Sequence, residues 1–102
     1  MYIAMNRFRI ALGREAVFEE LWRRRDSRLD GVPGFEEFKL LRGPRDEEAT
    51  LYASHTLWES KEAFEAWTKS ASFKAAHQSA RAPEGTYLGH PRFEGFESIL
   101  EE

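Results

Sequence analysis

The chain has 102 residues, room for one domain with one core, and its 41% hydrophobic and 32% charged content is that of a folded protein rather than a disordered or fibrous one. Fifteen Lys and Arg against eighteen Asp and Glu leave a net charge of −3, which disfavours nucleic acid as a partner; the absence of cysteine excludes disulfides, thiolate metal sites, iron–sulfur clusters and thiol catalysis. No apolar stretch is long enough to span a bilayer and the N-terminus is broken too early by polar residues to read as a signal peptide, so no membrane partner and a cytoplasmic location are expected.

Tyr2 to Leu12 alternate as a strand, with Tyr2, Ala4, Asn6, Phe8, Ile10 and Leu12 on one face and Ile3, Met5, Arg7, Arg9 and Ala11 on the other. Gly13 ends it, and from Arg14 the residues Val17, Phe18, Leu21 and Trp22 share one helical stripe that stops near Asp26. Arg23-Arg24-Arg25 at that helix's end reads as a solvated cluster complementing the helix dipole. Gly31-Val32-Pro33-Gly34 is a turn, Phe35 to Leu41 a second strand, Gly43-Pro44-Arg45-Asp46 a further turn, and Thr50 to Trp58 a third strand able to form a hairpin with the second. Ser60 caps a helix carrying Ala63, Phe64 and Trp67. A break at Ser70-Ala71-Ser72 precedes another helix, with Phe73, Ala76, His77 and Ala80 on one stripe. Pro83-Glu84-Gly85 ends it, and a last extended segment runs from about Tyr87, through a break at His90-Pro91, to Ile99.

This order predicts an α+β class, a ferredoxin-like split βαβ antiparallel sheet with helices on one face. The other face, with Ile3, Met5 and Ala11, would leave apolar area bare in so short a chain, so a homodimer is expected.

Three residues stand out for chemistry. Asn6 is an amide on an apolar strand face, where it is either a core residue satisfied by backbone or water, or a donor aimed at a ligand. His77 is an imidazole on an apolar helical stripe, either a satisfied core histidine, a metal ligand or a general base. Trp67, on the core side of its helix, is taken alone explained by its bulk as packing. Together they would line one dry aromatic pocket suited to a flat hydrophobic ligand. A single axial histidine suffices for haem, since the porphyrin supplies the other nitrogens. His55 and His90 could shuttle protons, but without acidic or nucleophilic companions structural or surface roles are favoured.

The segment Thr56-Leu57-Trp58-Glu59-Ser60-Lys61-Glu62-Ala63-Phe64-Glu65-Ala66-Trp67, with Ser72-Phe73-Lys74 through His77, resembles the antibiotic biosynthesis monooxygenase superfamily. The resemblance covers nearly the whole chain and implies one domain over 1–102 forming a dimeric α/β barrel. The set Asn6, Trp67 and His77 resembles the haem-degrading subgroup's Asn, Trp and His. It implies that His77 is the axial iron ligand, that Asn6 donates to dioxygen, and that Trp67 presses on the porphyrin so that it ruffles. Haem would be both substrate and cofactor, with electrons from an external donor such as a reductase. Two rival readings remain: a cofactor-independent monooxygenase acting on a quinol or polycyclic aromatic, and a non-enzymatic haem or hydrophobic-ligand binding protein.

Overall fold

The structure, a computed structural model, describes residues 1–79 and 82–102, the side chains of 77–79 excepted. Its elements are β1 (Tyr2–Ala11), α1 (Glu15–Arg24), β2 (Phe35–Arg45), β3 (Ala49–Trp58), α2 (Lys61–Thr68), α3 (Ala71–Ser79) and β4 (Arg92–Glu97). The strands form one antiparallel sheet in the order β2-β3-β1-β4, and the helices pack on one face, as the α+β ferredoxin-like expectation requires. Among the described residues, no helix is long and apolar enough to cross a membrane.

Three boundaries differ from expectation. β2 continues through Gly43 and Pro44 to Arg45, with a bulge between Arg42 and Arg45. As an edge strand it tolerates a proline that donates no ladder hydrogen bond. The turn falls one step later, where the Asp46 carboxylate accepts from the backbone N–H of Glu48 (2.7 Å) and Ala49 (2.9 Å). The helix break is shorter than expected: Ser70 caps α3, its hydroxyl accepting from the Phe73 N–H at 3.1 Å. At the C-terminal end only Arg92–Glu97 forms a strand, and Tyr87 makes an isolated bridge to Ile10. Ser60 caps α2 as expected, its hydroxyl accepting from Ala63 N–H. Ala80, assigned to the α3 stripe, lies outside the described residues.

Two glycines permit close packing. Gly34 takes φ +82° and a Cβ there would lie 2.4 Å from that of Ala63; at Gly95 a Cβ would meet the Tyr2 hydroxyl, which crosses β4 at that point.

The core falls into two clusters. One joins Tyr2, Ala4, Leu29, Trp58 and Trp67, with Phe35, Phe64 and Phe73 against them. The other joins Phe8, Ile10, Phe18 and Tyr52, with Trp22 and Tyr87. Phe18 sits at the centre of the second, its ring 4.7 Å from that of Tyr52. The Tyr52 hydroxyl donates to Glu19 of α1 at 2.5 Å and Thr50 to Glu15 at 2.9 Å, tying α1 to β3. Along β1 the clusters are separated by a single inward position, Asn6.

Candidate active site

The break in the core is a consequence of side-chain size. β1 and β3 pair Ala4 with Thr56 and Asn6 with Ser54, so four small side chains meet where the flanking pairs, Tyr2 with Trp58 and Phe8 with Tyr52, are large. Small residues on the sheet under three helices leave a cavity. Its main lobe, about 410 Å³, has that floor and walls of Trp22, Phe38, Phe64, Trp67, Phe73 and Phe93, with Ala76 of α3 and Arg25 at its margin. An inner lobe of about 240 Å³ shares Asn6, Trp22, Arg25 and Ala76 with it and is closed by Phe8, Leu21, Tyr87 and Pro91.

Each wall is held in place by its neighbours. Trp67 is buried, stacked on Trp58 (30° between planes) and edge-on to Phe73 (89°), so its indole belongs to the core and the cavity at once. Phe64 and Phe93 stack at 4°, and Trp22 and Phe38 at 11°. Asn6 is half-buried on a strand paired on both sides, and among the described residues its amide has no hydrogen-bond partner. An amide held rigidly in apolar surroundings without a partner is poised to bond something that enters.

Of the three residues singled out by the sequence, Asn6 and Trp67 therefore line one cavity. His77 falls in α3 one position after the lining residue Ala76, and its side chain lies outside the described residues. His55 is on the opposite face of the sheet, paired with Met5, and its buried Nδ1 has no partner among the described residues; His90 is exposed, and neither lines the cavity.

Arg25 was missed as a site residue. Arg23 and Arg24 do face solvent and pair with Glu19 and Glu20, as expected of a helix end. Arg25 instead leaves the helix at its cap and lays its guanidinium 4.3 Å from the Trp22 ring and 4.6 Å from the Phe38 ring. Burial presses its guanidinium below the ordinary arginine value, and among the described residues no carboxylate pairs with it. Tyr87 was also unforeseen: burial pushes its phenol up, with the neighbouring Trp22 indole opposing the shift. Only the aromatic spacing of Trp22 and the half-apolar run around Tyr87 hinted at either.

The antibiotic biosynthesis monooxygenase family model matches residues 1–79. A heme oxygenase (staphylobilin-producing) from Staphylococcus haemolyticus is 33% identical over 82 residues, which are 78% of this chain and 75% of that protein. A heme oxygenase (mycobilin-producing) from Mycobacterium tuberculosis is 34% identical over 80 residues, covering 78% and 73%. The structure of the heme-degrader MhuD from M. tuberculosis, with two hemes bound in its active site, superposes with a TM-score of 0.76 at 27% identity over 100% of this chain and 99% of that one. On these matches, and on a fold of the same architecture, the chain belongs to the antibiotic biosynthesis monooxygenase family.

Proposed function

We propose that this monooxygenase degrades haem, with Asn6, Trp67 and His77 as its site residues and the whole of 1–102 as one domain. The observation that carries the reading is the unpartnered Asn6 amide on the floor of an aromatic-walled cavity, in a chain 33–34% identical to proteins described as heme oxygenases. The donor set suits a porphyrin: flat aromatic walls for the ring, one amide donor, one imidazole-bearing helix and one half-buried cation.

In this reading His77 would hold the iron from α3 through one neutral ring nitrogen. When bound, haem supplies the redox-active iron and is itself the ring to be opened, with dioxygen as co-substrate and electrons from an external donor, a reductase or small reductant in the cytoplasm. Asn6 directs its N–H towards the reacting side of the ligand, and two flanking strands keep it from swinging away. Trp67, wedged between Trp58 and Phe73, presents a face that does not yield, so a planar ligand pressed on it must bend instead. Phe38, Phe64 and Phe93 offer apolar surface against which a bound ring would shed its water.

The active unit in this reading is a homodimer. Its support is the outer sheet face, where Ile3, Met5, Leu57 and Phe96 form a contiguous apolar band across β1, β3 and β4, with Phe96 43% exposed.

Titration with ferric haem, followed in the Soret region, tests the assignment. His77→Ala is expected to weaken haem binding at least about tenfold or to shift the ferric spectrum, while Asn6→Ala keeps affinity within about threefold and loses turnover by about a hundredfold. If His77→Ala leaves affinity and spectrum unaltered, the axial assignment is wrong; if wild type does not bind haem, the cofactor-independent reading takes its place.

A further inference from the structure

Along β3 the side chains on the helix face carry four hydroxyls, and three of them are spent inside the protein. Thr50 donates to Glu15 at 2.9 Å, Tyr52 to Glu19 at 2.5 Å, and Thr56 to the Ala4 carbonyl at 3.3 Å. Ser54, the fourth, is only 7% exposed, lines the main lobe, and has no hydrogen-bond partner among the described residues. Thr68, another hydroxyl bordering that lobe, donates to the Glu65 carbonyl at 2.7 Å. A hydroxyl buried without a partner destabilises the ligand-free chain, and an acceptor that arrives with a ligand relieves the cost. Ser54 is held on the floor by strands on both sides, paired with Asn6 of β1 and Leu40 of β2. Asn6, directly opposite it, carries the other unpartnered group of the floor. Side chains so placed stand about 5 Å apart at Cβ, which puts one acceptor above the pair within hydrogen-bond reach of both.

We propose that Ser54 is a second donor of the site: its hydroxyl and the Asn6 amide together take one small acceptor atom on the reacting side of the flat ligand held in the main lobe. The inference rests on the reading of the cavity as a flat-ligand site and adds to it how the acceptor is oriented. One donor lets an acceptor pivot about it, whereas two donors on neighbouring strands fix its direction as well as its presence. Neither donor is charged, so the pair suits an oxygen or nitrogen atom carrying partial or full negative charge. A hydroxyl with a purely structural task would be bonded to the protein, as those of Thr50 and Thr56 are.

The test uses two probes: azide, added to the ferric haem-loaded protein and followed in the visible spectrum, and the pair anthraquinone and anthracene, alike in shape except for two carbonyl oxygens, followed by quenching of protein fluorescence. Ser54→Ala should weaken azide binding about tenfold, Asn6→Ala about tenfold, and the double variant about a hundredfold, because two donors that each meet the ligand act independently. Ser54→Cys, close in size but a poor donor, should follow Ser54→Ala. Without ligand, Ser54→Ala should melt no lower than wild type, since it removes an unsatisfied hydroxyl. A lower melting temperature with unchanged azide affinity is the mark of a structural hydroxyl and overturns the proposal. So does a Ser54→Ala effect that disappears in the Asn6→Ala background, where Ser54 would be acting only through the amide. If haem does not bind but wild type prefers anthraquinone and Ser54→Ala lowers that preference several-fold, the donor pair stands and the haem reading fails. If haem is degraded and azide binds wild type and Ser54→Ala alike, the reverse holds, and a chain that neither binds haem nor prefers anthraquinone loses both.

Discussion

The two faces of the sheet are built from alternate residues of the same strands and differ in where their polar groups find partners. On the outer face most charges are matched: Arg7 with Glu94, Lys39 with Glu37, and Arg9 with Asp46 and Glu48. Such exposed pairs contribute little individually, Arg92 and the buried His55 Nδ1 have no partner among the described residues, and the band of Ile3, Met5, Leu57 and Phe96 between the pairs is suited to plain packing. On the helix face the packing is denser and richer in aromatics, yet Asn6 and Arg25 stay unpartnered among the described residues. A fold selected for stability alone would fill or satisfy such positions. The unpartnered Asn6 and Arg25 side chains at one cavity support the proposal that this face receives a ligand, and the bare apolar band among mostly paired charges supports the proposal that the other is an interface.

The sharpest way to break this contrast is to place a charge in the outer band. Met5→Asp should raise the dimer dissociation constant by about a hundredfold or more, because an unpaired charge buried at an interface costs about 3–5 kcal/mol. Light scattering at micromolar concentration checks it, and a wild type that is already monomeric there ends the dimer proposal. On the helix face, Trp67→Phe removes the rigid platform but keeps an aromatic filler. Turnover of haem is expected to slow about tenfold, equivalent to about 1.4 kcal/mol of barrier, while haem still binds. A folded variant with unchanged turnover would leave Trp67 with packing alone.

The smallest effect concerns how α1 is clamped to the helix face. Burial, and then the hydrogen bond to Glu19, push the Tyr52 phenol from 10.0 to about 12. The folded chain therefore holds that proton more tightly than the unfolded one. The stability involved is fully present below pH 10 and is lost as pH rises through about 12. Melting temperatures between pH 9 and 12 should fall more steeply for wild type than for Tyr52→Phe; parallel curves would show that Tyr52 is not the group responsible.

Much of the fold was legible because β1 is central with one face buried, so period-2 alternation from Tyr2 to Ala11 is enforced at every step. Edge strands obey weaker rules, which is why β2 ran on through Pro44 where a turn was expected. In the site, Asn6 and Trp67 were legible as a polar exception on an apolar face and a large residue on an inward stripe. The cavity floor was not, because the pairing of Ala4 with Thr56 and Asn6 with Ser54 depends on a register that joins residues far apart in sequence. Arg25 was misassigned for a similar reason: a helix-end rule counts neighbours along the chain, and the ring that draws the guanidinium in, Phe38, arrives from another element. Tyr87 lies beyond the last helix, where periodicity offers no guide.

A cavity that opens the porphyrin and one that merely holds it differ in what happens to the iron under reductant and oxygen. Single-turnover oxidation of the haem-loaded protein, with ascorbate or a reductase as electron donor and a ferrous chelator present, tests this directly. For a haem-degrading enzyme the Soret band decays in step with chelated iron, approaching one iron per haem. A Soret band that persists under reductant and oxygen, with no iron captured, would contradict it and leave a haem-carrying protein.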